Sequence, residues 1–184
     1  MSVLPIRIHP DPCLKKSAKA ITLFDGALKQ LAHDMIDTMY DANGIGLAAP
    51  QIGKSLQVIV MDCDWKVTRD SDAGQTIISD KKPKILTNPS IVWQSDEVKS
   101  YDEGCLSIPE QFGAVERPSR VKIAYCDLDG TKQTCEFDDL WAVCVQHEID
   151  HLNGILFIDH LSALKRNMIT RKMLKYKKDI AQNA

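Results

Sequence analysis

No apolar run in the 184 residues approaches the roughly 20 that a helix needs to cross a bilayer, and no charged segment leads into an apolar one at the start. A soluble, untargeted protein is expected, with no membrane partner. Paired cysteines are missing as well. Cys13, Cys63, Cys105, Cys126, Cys135 and Cys144 contain no CxxC, and a chain of this length needs no disulfide scaffold to fold. A reducing cytoplasm suits them, and all but Cys105 and Cys144 read as small buried hydrophobes. There is no internal repeat, no linker and no βαβ alternation, so one domain over residues 1–184 is expected rather than a doubly wound sheet. Net charge is scarce too. The total is −2, which gives no reason to expect a sequence-specific nucleic-acid partner. It is unevenly spread, however: residues 161–184 carry seven Lys and Arg against one acid, and the rest of the chain is acidic.

What is present begins with Leu28, Leu31, Met35 and Met39 at helical spacing behind Asp25, which predicts a capped helix from about Asp25 to Asp41. The glycines of "NGIGLAAPQIG" stop it, and "LQVIVMD" reads as a buried strand. Residues 64–82 are polar and loop-like, with at most a short hairpin. Strand-like segments follow around "KILTNPSIVWQS" and "EVKSYDEGCLSIP". Asp129-Gly130 then marks a hairpin turn inside "SRVKIAYCDLDGTKQTCEF". A second helix runs from about Asp139 to Leu152 and is halted by Asn153-Gly154. A basic C-terminal helix, about 161–182, carries the apolar stripe Ile169, Met173, Tyr176 and Ile180. The fold class is α+β: antiparallel sheets packed around a central helix carrying HExxH, with an N-terminal helix and a C-terminal helix.

The chemistry concentrates in "CVQHEIDHLNG", residues 144–154. Residues four apart share one helix face, so His147 and His151 can ligate one ion. Leu140, Val143 and Cys144 continue that face as an apolar wall. Glu148 points partly aside, where a carboxylate can act as general base toward water made acidic by a cation. Metal-assisted hydrolysis is the reaction class this predicts. The third ligand is open. Position 157, where the pattern HExxHxxGxxH would put a histidine, is Phe157. Asp159 and His160 remain downstream and Cys105 upstream, and a thiolate would favour zinc or ferrous iron over magnesium or calcium.

Three segments, "GIGLAAPQ" at 44–51, "EGCLS" at 103–107 and "QHEIDH" at 146–151, resemble in order and type the signature motifs of peptide deformylases. The likeness spans essentially the whole chain and resembles the bacterial type that ends in an α-helix. It implies a metal-dependent amidase that removes the N-formyl group from the initiator methionine of new polypeptides. It also implies one divalent ion per chain on Cys105, His147 and His151, with Fe(II) expected and Zn(II) or Ni(II) in a purified sample. Glu148 would be the general acid and base. Gln51 and the backbone N–H of Leu106 would stabilise the oxyanion. Gly44, Ile45, Gly46 and Gly104 would lie along the substrate backbone, and Leu140, Val143 and Cys144 would take the methionine side chain. Glu103 and Arg117 would brace the cysteine loop, and the basic helix would dock on the ribosome. The rival readings are a general HExxH metallopeptidase and a non-catalytic metal-binding protein.

Overall fold

The computed structural model describes residues 2–69 and 76–183. Helix α1, Gly26–Asp41, starts where the Asp25 carboxylate accepts the Leu28 N–H at 3.0 Å. Such a cap is worth about 1 kcal/mol. Of the predicted stripe, Leu28, Met35 and Met39 are buried, while Leu31 is half-buried and its neighbour Ala32 is buried instead. The chain then makes strand β1, Gly46–Ala48, a 3-10 turn at Ala49–Ile52, and strand β2, Val58–Met61, antiparallel to β1. All four residues of β2 are buried because both of its faces are covered. Val58 and Val60 pack with Met35 and Met39, while Ile59 and Met61 join a core shared with the second helix.

Strands β3, Lys66–Arg69, and β4, Thr76–Ser79, form a hairpin of their own. They occupy the flanks of the polar segment 64–82, whose residues 70–75 lie outside the described ones. Strand β5, Lys84–Gln94, pairs with β2. Strand β6, Val98–Cys105, pairs with β7, Ile108–Pro118, in a separate two-stranded sheet. The strand-like segment "EVKSYDEGCLSIP", residues 97–109, is divided by a sharp turn at residues 106–107, and β7 carries no clear sequence signal. Its buried alternate positions include Gly113 and Arg117, so the apolar signal of a strand is diluted. Strands β8, Arg120–Cys126, and β9, Lys132–Asp138, form the hairpin predicted at Asp129-Gly130 and complete a five-stranded antiparallel sheet, β1-β2-β5-β8-β9.

Helix α2, Asp139–Leu152, lies against this sheet with Ala142, Val145, Ile149 and Leu152 in its core. It ends at Gly154, whose φ of 72° is open to glycine, and a Cβ there would stand 2.7 Å from the Lys15 backbone. After a 3-10 turn at Phe157–His160 comes helix α3, Ala163–Asn183. Ile169 and Met173 are buried beside Leu14, Phe157 and Ile158, with Tyr176 packed at the edge. Ile180 departs from the expected stripe. It is 48% exposed, because the packing partners end with Tyr176. The cysteines need correction too: only Cys144 is buried, and Cys13, Cys63, Cys126 and Cys135 are half-buried. The fold is thus α+β with antiparallel sheets and three α-helices among the described residues, none of them long and apolar enough to cross a membrane.

Candidate metal centre

Cys105 ends β6 where the pairing with β7 slips between Gly104 and Cys105, and this irregularity takes the cysteine out of the strand's regular alternation. His147 and His151 sit one turn apart on α2 with ring centroids 5.0 Å apart. The three side chains each offer a ligand atom, all within 4.8 Å of one another, and Cys105 Sγ is 3.2 Å from His151 Nε2. Donors about 2.0–2.3 Å from one tetrahedral ion stand roughly 3.3–3.8 Å apart, so this group needs little adjustment to enclose a cation. The other third-ligand candidates are engaged elsewhere. Asp159 pairs with Lys15 and accepts the Leu156 N–H, while His160 bonds to Asp150. Phe157 stacks on His147 with centroids 6.4 Å apart.

Glu103, two residues before the cysteine, is buried and tied on both sides. Arg117 Nε and Nη2 donate to its two oxygens at 2.5 and 3.0 Å, and its Oε2 lies 2.8 Å from His147 Nδ1. That contact leaves His147 Nε2 as the nitrogen able to ligate. Burial pushes the Glu103 carboxyl up, but the hydrogen bonds with His147 and Arg117 outweigh it and hold the group at about 2. Burial likewise works against a charged His147, yet Cys105 and Glu103 prevail and raise it. His151, facing burial and the charge of His147, is lowered. Arg117 is itself buried, which excludes a solvated surface pair, and its Nη1 donates to Asp150 at 2.9 Å. Asp150 in turn meets His160 Nε2 at 2.8 Å. From the sequence Asp150 reads either as orienting a ligand histidine or as facing solvent, with no catalytic role; it does neither directly, but holds Arg117 and His160. The sequence offers His160 only as a third-ligand candidate, and the structure gives it this contact with Asp150 instead.

Glu148 is 3% exposed, and its Oε2 is buried with no hydrogen-bond partner. A buried unpaired carboxylate oxygen calls for a partner such as water, which the chemistry of this donor set would supply. Burial raises its carboxyl to about 7, with His147 lowering and Glu103 raising it. Gly46 makes room for it: a Cβ there would collide with Glu148 Oε1 and stand 2.8 Å from Cys144 Sγ. Gln51, 1% exposed, accepts the Ala48 N–H on Oε1 at 2.7 Å, which aims its Nε2 at Cys105 Sγ, 3.5 Å away, and at Ser107 Oγ, 3.3 Å away. Ser107 is a further residue of this loop that sequence reasoning passed over.

These groups stand at the back of a cleft of about 680 Å³. One wall carries Gly44, Ile45 and Gly46, leading into β1, and the facing wall carries Glu103, Gly104 and Leu106. Leu140, Val143 and Cys144 of α2 form its apolar floor, Val143 and Cys144 buried and Leu140 exposed. His151 and Arg117 stand behind the lining, where they reach Cys105 and Glu103.

A sulfur, two imidazoles and an unpaired buried carboxylate beside an open cleft are the parts of a metal-assisted hydrolase. Known proteins narrow the class. Residues 3–167 match the polypeptide deformylase family, and the chain belongs to it. It is 50% identical over 175 residues to the peptide deformylase of Brucella suis biovar 1, covering 95% of this chain and 94% of that one. With the peptide deformylase of Agrobacterium fabrum it shares 47% over 175 residues, 95% and 96% of the two chains. Among solved structures, the peptide deformylase from Legionella pneumophila superposes with a TM-score of 0.85 at 42% identity, over 98% of each chain. That from Ehrlichia chaffeensis gives 0.87 at 34% identity, over 98% of this chain and 99% of its own.

Proposed function

We propose that the chain is a metal-dependent amidase that removes the formyl group from the N-terminal methionine of newly made polypeptides and releases formate. The observation that carries this is the meeting of Cys105, His147 and His151 within 4.8 Å, beside Glu148, in a member of the deformylase family. Those three residues would hold one divalent cation. Fe(II) is the expected metal, with Zn(II) or Ni(II) in a purified sample, since a thiolate and two imidazoles suit all three. When bound, such a cation supplies Lewis acidity, which makes water acidic enough to attack an amide near neutral pH.

Glu148 takes a proton from the attacking water and gives one to the amine as the C–N bond breaks. Its burial, which favours the protonated form, suits the second step as much as the first. Gln51 Nε2 and the Leu106 N–H donate to the formyl oxygen as it gains charge. Gly44, Ile45, Gly46 and Gly104 let the peptide lie along the cleft as an added strand. Leu140, Val143 and Cys144 receive the methionine side chain, whose flexible thioether adapts to such a surface. Glu103, held by Arg117, orients His147. Helix α2 is in this reading the central helix carrying HExxH, and residues 1–184 act as one catalytic domain in the cytoplasm. The exposed Lys165, Arg171, Lys172, Lys175, Lys177 and Lys178 of α3 would dock it on the ribosome.

Formate release from formyl-methionyl peptides, set beside acetyl-methionyl peptides, tests the assignment. A strong preference for formyl is expected, since hydrogen on the carbonyl carbon fits where a methyl overfills, and comparable turnover of the two would defeat it. Cys105→Ala should abolish metal binding, whereas an HExxH peptidase with a downstream ligand would retain it. Full activity in Glu148→Gln would remove the proton-transfer role.

A further inference from the structure

The two donors assigned to the formyl oxygen, Gln51 and the Leu106 N–H, stand on backbone pieces far apart in the sequence: the 3-10 turn at Ala49–Ile52 and the turn between β6 and β7. The N-terminal segment ties them together. The Arg7 N–H donates to the Gln51 carbonyl at 2.7 Å, and the His9 N–H donates to the Ser107 carbonyl at 2.9 Å. N–H groups two residues apart face the same side of an extended chain, so residues 7–9 staple one piece to the other. Within the staple, Gln51 Nε2 meets Ser107 Oγ at 3.3 Å. Ile6 and Ile8, which alternate with the stapling residues, line the cleft itself. His9 anchors the segment from behind. Its side chain is buried, its Nε2 lies 3.1 Å from Thr170 Oγ1 of α3, and its Nδ1 has no hydrogen-bond partner among the described residues. Burial, then the charge of Lys15, lower the pKa of the ring; Asp159 opposes them and Lys177 adds to them, so the ring is neutral near pH 7. A neutral imidazole has one N–H, and on Nε2 it donates to the Thr170 hydroxyl.

We propose that His9 is a positioning residue for the hydrolysis: held by Thr170, it fixes residues 7–9 so that their N–H groups keep Gln51 and Leu106 aimed together at the formyl oxygen. Helix α3 is thereby a support of the oxyanion donors, although it supplies none of them. The effect on turnover rests on the deformylase reading, whereas the strap of residues 7–9 does not.

The test uses the full chain loaded with zinc. His9→Ala, and Thr170→Val, which exchanges the hydroxyl for a methyl of similar size, should each lower kcat for formate release about tenfold with KM little changed, because a misplacement of about 1 Å costs on the order of 10²-fold and a slack strap moves the donors by less. His9→Gln, whose amide nitrogen reaches the place of Nε2, and Thr170→Ser should keep most of the activity. In a Gln51→Ala background the loss caused by His9→Ala should shrink, since one of the groups it positions is gone. An equal loss in both backgrounds would overturn the proposal, and so would a lowered melting temperature with kcat intact. Amide hydrogen exchange examines the strap without substrate: Thr170→Val should speed exchange at the Arg7 and His9 N–H groups, and unchanged exchange there would also overturn it. If the unsubstituted protein releases no formate, the deformylase reading fails and the catalytic part of this proposal with it, while exchange still decides whether Thr170 holds the strap.

Discussion

At the scale of single residues, the site depends on groups that are small or aimed. Gly46→Ala puts a methyl where Glu148 Oε1 lies, so the carboxylate must move. Misplacing a reacting group by about 1 Å costs on the order of 10²-fold, and formate release from Gly46→Ala should fall by about that factor while the melting temperature changes little. Gln51→Ala removes a donor held by the Ala48 N–H, and kcat should drop about 10²–10³-fold with KM less affected. Cys13 offers a pH readout away from the metal. Burial, and then Asp11, raise its thiol to about 11, which favours the neutral form in the fold. Its alkylation by iodoacetamide, followed by peptide mapping, should therefore be slow at pH 8 and climb only toward pH 11. In the unfolded chain the same thiol should react at the lower pH usual for cysteine.

At the scale of elements, legibility followed local periodicity. The stripe of α1, its Asp25 cap, the stop at Gly154 and the turn at Asp129-Gly130 are all short-range signals, and each was readable. Strand β7 was not, because Gly113 and Arg117 occupy buried positions where apolar residues would have announced it. The site divides in the same way. The ligand pair on α2 is visible as spacing within one helix, whereas the path from His147 through Glu103, Arg117 and Asp150 to His160 joins residues from two strands, a helix and a 3-10 turn. Only tertiary packing brings those together. Helix α3 allows a contrast along one stripe. Met173→Ala should cost about 2–4 kcal/mol, whereas Ile180→Ala should fall within about 0.5 kcal/mol, as measured by urea unfolding.

At the scale of the whole molecule, Cys105 comes from the β6-β7 pair, packed on a core shared with α3, and His147 and His151 come from α2, packed on the five-stranded sheet, so cation binding and folding are linked. A cation that binds only the folded chain stabilises it by about 2.7 kcal/mol at a hundredfold excess over Kd. Adding zinc or nickel to chelator-treated protein should raise its melting temperature in a concentration-dependent way, and Cys105→Ala should abolish the rise. Glu103 sets a limit on how far such properties can be tuned apart. The same carboxylate clasps Arg117 of one strand and His147 of a helix, so the part that fastens the scaffold is also the part that steers a ligand. Laboratory selection for heat tolerance therefore has almost no freedom at this position, and sequence variation compatible with both duties should be confined to its periphery.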